Sequence, residues 1–151
     1  MEQRAQDWAD RCKYGHSTYE YRNQAGENIY MWMIDRHESI DTNTLKATQL
    51  WWDEIELINM TSPEDYKMNE KIIATAGHWS QQAWGATTKI GCGVANCTDP
   101  PWYVTHVVCH YFVAGNYLDK PIFELGNGCS KDSDCTTYEK STCNTSTKLC
   151  M

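Results

Sequence analysis

The stretch Gly77-His78-Trp79-Ser80-Gln81-Gln82-Ala83-Trp84 places an imidazole, a hydroxyl, two amides and two indoles in eight consecutive residues. It is too polar for a core segment and too aromatic for a loop, and local inconsistency of that kind marks functional sites. Three readings fit it: a catalytic histidine with its supporting residues, a ligand-binding shelf, or an unusual helix start. Catalysis by a Ser80–His78 pair is the sharpest of these and the least supported. A serine nucleophile needs a base, an orienting group and an oxyanion hole within hydrogen-bond reach. Residues i and i+2 of a helix point apart, and no Gly-x-Ser-x-Gly elbow presents Ser80. Elsewhere, His106 and His110 alternate with apolar residues along one face of a predicted strand and read as core or rim packing. His37 reads as solvated, and His16 sits on a turn after Gly15.

The elements that must position these groups follow from periodicity. Residues 1–14 predict a helix, with Ala5, Trp8, Ala9 and Cys12 at i, i+3, i+4 and i+7, ended by Gly15. Residues 17–43 are polar and loop-rich, interrupted by the run Glu27-Asn28-Ile29-Tyr30-Met31-Trp32-Met33. Residues 44–58 predict a second helix whose stripe is Ala47, Trp51, Glu54 and Ile58. Glu54 is the one charge in that stripe. It either reaches water at the edge or needs a partner, because burying an isolated charge is expensive. A helical turn follows near the opening motif. Two strands come next, Lys89–Val94 and Tyr103–Phe112, separated by Asp99-Pro100-Pro101. On the second strand Tyr103, Thr105, Val107, Cys109 and Tyr111 share one face, and Val104, His106, Val108, His110 and Phe112 the other. Helices followed by strands predict an α+β layered domain.

Composition bounds the function classes. The 151 residues fit one domain with a small appendage, and 41% apolar content with seven tryptophans supplies a core. A net charge of −7 argues against nucleic-acid or anionic-membrane partners, and no apolar run reaches the roughly 20 residues that span a bilayer. The eight cysteines include no Cys-x-x-Cys pair and do not match zinc-site spacing. They predict four disulfides and an oxidising compartment. Acceptor sequences for N-glycosylation at Asn59, Asn96 and Asn144 point the same way. The chain opens Met1-Glu2-Gln3-Arg4 without an apolar signal-peptide core, so it is expected to be truncated at its N-terminus. From Gly126 onward apolar residues nearly vanish and four cysteines remain, giving the expected division into 1–126 and a cysteine-rich tail over 127–151.

Four segments together resemble the secreted CAP superfamily (cysteine-rich secretory proteins, antigen 5 and pathogenesis-related-1 proteins), most closely its members from parasitic nematodes. They are Trp8-Ala9-Asp10-Arg11-Cys12 leading to His16-Ser17; Gly26-Glu27-Asn28-Ile29; the His78 motif; and Cys109-His110-Tyr111 running to Gly115-Asn116-Tyr117. The resemblance covers residues 1 to about 125 and implies a three-layer α-β-α sandwich with a cleft holding His16, Glu27, Glu54 and His78. It implies His16 and His78 as direct ligands of a divalent metal such as Zn²⁺, with the glutamates orienting them. It also implies disulfides Cys12–Cys97 and Cys92–Cys109. For the tail, where three pairings are open, Cys129–Cys143 with Cys135–Cys150 is expected. Family members carry a further helix before the Trp8 segment that this chain lacks.

The function expected from these observations is that of a secreted, non-enzymatic binding protein: a parasite excretory/secretory antigen or host immune modulator whose partner is a host protein or receptor. Related proteins suggest an alternative, an extracellular carrier of sterol or fatty acid, with Met31, Trp32 and Met33 available to line an apolar pocket. A metal-dependent hydrolase is the third class.

Overall fold

A computed structural model describes residues 1–36 and 38–151, so the expectation for His37 lies outside the described residues. Helix α1 spans Glu2–Ala9, strand β1 Gly26–Ile34, α2 Ile40–Asp53, α3 Glu70–Gln82, β2 Lys89–Asp99 and β3 Trp102–Phe112. The sheet order is β1-β3-β2, with both pairings antiparallel. Helix α1 packs on one face through Ala5, Ala9, Ile29, Ala95 and Val108. On the other face Ala47 and Trp51 of α2 meet Val107, Cys109 and Tyr111. The two faces of β3 are thus divided as its alternation predicts, and the layers form the α-β-α sandwich.

Several elements differ from the periodicity: β2 runs on to Asp99 where Val94 is the predicted end, and α3 spans Glu70–Gln82 where a helical turn is expected. Helix α1 stops at Ala9 rather than continuing to residue 14: Arg11 and Cys12 bond the carbonyls three residues back, and Cys12 turns to φ 56. That tight turn takes Cys12 out of the helix, and its sulfur reaches Cys97 on β2. Helix α2 begins earlier than predicted, at Ile40, because Ser39 Oγ accepts from Thr42 N–H at 3.1 Å. It ends at Asp53, and a 3₁₀ turn over Glu54–Leu57 follows. The run at Glu27 is part of a nine-residue edge strand.

Helix α3 is capped by Asn69, whose Oδ1 accepts from Ile72 N–H at 3.0 Å. Its backbone breaks at Ala76 (φ −145, ψ 37), so a second helical segment starts at Gly77. Its apolar side packs Ile72, Ala76 and Trp79 against Met68, Trp84 and Ile122. The approach of α1 to β2 is set by Gly91 and Gly93: a Cβ on Gly93 would overlap the backbone of Ala5 and Gln6.

Four disulfides join Cys12 to Cys97, Cys92 to Cys109, Cys129 to Cys143 and Cys135 to Cys150. The second links register partners on β2 and β3. The last two staple a tail whose only regular pairing is the hairpin of β4 (Cys143–Asn144) with β5 (Leu149–Cys150). Among the described residues no helix is long and apolar enough to cross a membrane.

Candidate functional site

Edge strand β1 organises the site because its consecutive residues point to opposite faces. Glu27 turns to the α1 side. Its side chain is fully buried and accepts four hydrogen bonds: from His16 Nδ1 (2.8 Å), Ser17 N–H (2.8 Å), Ser17 Oγ (2.7 Å) and His110 Nε2 (2.9 Å). The Arg22 guanidinium lies 3.9 Å away. Burial alone would raise the carboxyl, but the bonds from His110, His16 and Ser17 outweigh it and hold the group well below the usual carboxylate range. Asn28, the next residue, turns to the α2 side and donates to the His78 carbonyl at 3.0 Å.

Glu54 stands on the 3₁₀ turn after α2, facing the break in α3. Its Oε2 accepts from the backbone N–H of His78 (2.9 Å) and Trp79 (3.1 Å), and its Oε1 binds His78 Nδ1 at 2.6 Å. The break at Ala76 frees those amides, and a carboxylate at the start of a helical segment satisfies them and interacts favourably with the positive end of the segment's dipole. Burial raises the Glu54 carboxyl, and its bonds to His78 and Trp79 more than offset this, so it lies below its ordinary value. The charge in the α2 stripe therefore has its partner across the helix–helix contact. The Trp51 ring stacks on His78 at 5.8 Å.

The four residues form two pairs, His16–Glu27 and His78–Glu54. In each pair the carboxylate takes Nδ1 and is the more buried member, while His16 is exposed, at 55%, and His78 half-buried, at 33%. Among the described residues neither Nε2 is hydrogen-bonded, so each imidazole is oriented from behind with its outer nitrogen free. Neutral imidazole nitrogen is a ligand that Zn²⁺ accepts, but the two pairs do not gather three ligand atoms into one cluster among the described residues, and His78 and Glu54 line the cleft while His16 and Glu27 do not. The only three-ligand cluster among the described residues, Cys129, Cys135 and Cys150, has its sulfurs consumed by disulfides.

An open cleft of about 450 Å³ runs over the β1 edge, lined by Tyr14, Met31 and Met33 on one side and Leu50, Trp51 and His78 on the other. Trp32 does not line it. It stacks on Tyr30 and lies under Lys46 Nζ, 3.6 Å from the ring centroid. Ser80 is fully buried, and its hydroxyl is committed to Asn116 Oδ1 (2.8 Å) and the Gly77 carbonyl (3.1 Å). Gln81 Oε1 accepts from Gly115 N–H at 2.9 Å. These motif residues pin the 114–117 segment and offer no nucleophile to a substrate.

Sequence reasoning missed Ser17, Asn28 and His110 as supporting groups. His110 is buried as expected of a core position, yet it is the register partner of Glu27 and bonds it. Pairing the Glu27 run with the His110 strand would have found it. The acceptors Asn59 and Asn96 are exposed, and Asn144 is half-buried with its Oδ1 bonded to Ser146 and Thr147.

Comparison with known proteins matches this geometry to one family. The chain is 32% identical over 124 residues to venom allergen 5.02 of Dolichovespula maculata, covering 80% of this chain and 54% of that protein. It is 32% identical over 150 residues to Ancylostoma secreted protein of Ancylostoma caninum, covering 93% of this chain and 31% of that protein. The chain thus spans about half the length, or less, of the curated relatives it matches. Among solved structures, NaASP2 with Zn²⁺ superposes with a TM-score of 0.82 at 29% identity, covering 99% of this chain and 72% of that one. The model of the cysteine-rich secretory protein family, CAP, matches residues 1–111, and the chain belongs to that family.

Proposed function

We propose that the chain is an extracellular, non-enzymatic binding protein of the CAP family whose cleft takes a divalent metal on His16 and His78. One observation carries this reading: both histidines are anchored through Nδ1 to a buried or half-buried carboxylate, and among the described residues neither Nε2 has a hydrogen-bond partner. Carboxylate-backed imidazole of this kind fixes the tautomer and strengthens the ligand. Glu27 and Glu54 act from behind, and two further ligands, waters or atoms of a bound molecule, complete the tetrahedron. The zinc-bound neighbour supports the ion assignment. The secreted relative and the four disulfides support the compartment and a role as a secreted antigen or immune modulator acting on a host protein. Residues 127–151 are read as a separate stapled appendage to a 1–126 domain, and Asn59, Asn96 and Asn144 as glycan acceptors. Ser80, with its proton spent inside the fold, argues against hydrolysis. Calorimetric titration with Zn²⁺ tests the reading: the wild type binds, His16→Ala with His78→Ala does not, and unchanged binding in the double variant would sink it.

A second reading has its own observation. Ile29, Met31, Met33, Leu50 and Trp51 give the cleft apolar walls, which suit the chain of a sterol or fatty acid. Saturable binding of a fluorescent sterol, weakened by Met33→Glu, is the expected result; an unsaturable titration counts against it.

A further inference from the structure

The sequence holds one asparagine followed by glycine, Asn127-Gly128, and it falls at the join between the sandwich and the stapled tail. Both residues are exposed and lie outside any helix or strand. Among the described residues no hydrogen bond engages the Asn127 amide or the Gly128 N–H. The other asparagines differ. Each precedes a residue with a side chain, and several are tied down: Asn28 and Asn43 are buried, Asn69 caps α3, and Asn144 Oδ1 accepts from Ser146 and Thr147.

Glycine at 128 is a requirement of the fold. Its φ of +68 lies in the left-handed region, which other residues enter at a cost. A Cβ there would stand 2.6 Å from the Lys148 carbonyl oxygen, the same oxygen that accepts from Cys129 N–H at 3.0 Å. The tail hairpin is thus docked against bare backbone. That bareness has a chemical consequence at the preceding residue. A side chain at 128 would crowd the approach of its own nitrogen to the Asn127 side chain, whereas glycine leaves the approach open and lets the backbone rotate into it. Exposed, unbonded loop backbone supplies the remaining freedom.

We propose that Asn127 is a site of spontaneous deamidation in the folded chain, forming isoaspartate and aspartate through a cyclic imide closed by Gly128. The Gly128 nitrogen loses its proton to solvent and attacks Asn127 Cγ. The Cγ–Nδ2 bond breaks, and ammonia leaves with a proton taken from water. Water then opens the imide. Cleavage at the side-chain carbonyl restores the normal chain as aspartate, and cleavage at the main-chain carbonyl leaves the chain running through Cγ as isoaspartate. Only water is consumed and only ammonia released. Each conversion adds one negative charge to a chain whose net charge is already −7. The isoaspartyl form also lengthens the main chain by one carbon at the join, where Ile122 is fixed in the core on one side and Cys129 is bonded to Cys143 on the other. The modification is independent of the His16 and His78 reading.

The test ages the full chain in mildly alkaline buffer at constant temperature, with Asn127→Gln and a urea-unfolded sample alongside. Wild type accumulates a more acidic form on isoelectric focusing, with a mass gain of one unit confined to the peptide containing residue 127. That peptide becomes a methyl acceptor for protein isoaspartyl methyltransferase. Asn127→Gln, whose longer side chain closes a ring far more slowly, stays unconverted at that position, and the position is exposed, so the variant folds. An Asn127 that persists in the folded chain overturns the proposal whether or not the urea-unfolded sample converts. Faster conversion at any other asparagine, or an acidic form that builds up in Asn127→Gln at the wild-type rate, overturns it equally.

Discussion

Replacing Glu27 by glutamine tests whether the site is held from inside the fold. The substitution keeps shape and volume but removes the charge and turns one acceptor into a donor. If the amide oxygen faces His16 and Ser17 N–H, the amide NH₂ confronts Ser17 Oγ and His110 Nε2. The hydroxyl can accept, but His110 must move its proton to Nδ1, which is buried without a partner. In the opposite orientation NH₂ confronts Ser17 N–H, which can only donate. Either way one buried donor is unmet, at about 1–3 kcal/mol, and the remaining bonds lose their charge assistance. The sum, about 2–4 kcal/mol, lies near the low end of what breaking a buried ion pair costs. At roughly 2–4 °C per kcal/mol for a chain of this size, melting at neutral pH falls by about 5–15 °C. Differential scanning calorimetry measures this directly. A variant melting within about 1 °C of the wild type would mean that Glu27 is not the hub its four bonds suggest.

Two further outcomes follow from the same packing. Removing Cys12–Cys97 (separation 85) by double serine substitution destabilises by about 4–5 kcal/mol on loop-closure entropy, and removing Cys92–Cys109 (separation 17) by about 3; urea midpoints that reverse this order refute the entropic account. For His106, fully buried on the α1 face, burial pushes the imidazole below its ordinary 6.5, partly offset by the Ala9 carbonyl and the charge of Glu27. The unfolded chain then binds the proton more readily, so stability present above pH 6.5 is lost as pH falls from 6.5 toward the folded value. Melting temperature should drop with acidification across that window, and His106→Gln should flatten the slope; equal slopes in both proteins would contradict it.

What the sequence made legible were the features carried by local period. The alternation along β3 divides its side chains between the two faces as drawn, and the polarity of the 126–151 segment marks it as stapled. Element ends were less readable because non-local bonds set them: Cys12 leaves the helix to reach β2. Glu54 was conspicuous as a charge in an apolar stripe, but its partners come from a different helix. His110 read as a core residue because register between β1 and β3, separated by more than sixty residues of sequence, is invisible to periodicity.

The two glutamates look alike in sequence yet solve different problems. Glu27 is fully buried, with acceptor capacity spread over side-chain and backbone donors from a loop and a neighbouring strand. Glu54 is 20% exposed and acts first as the cap of a helical segment that exists because α3 breaks at Ala76. Extending α3 straight through Ala76 would bond the His78 and Trp79 amides within the helix and leave Glu54 without its backbone donors. His78 would then rotate away from the carboxylate that fixes its tautomer. The irregular backbone at Ala76 is thus a condition for presenting His78, just as the alternation of Glu27 and Asn28 on an edge strand is a condition for supporting both histidines from one element. An edge strand suits this because its outer side faces the cleft instead of another strand.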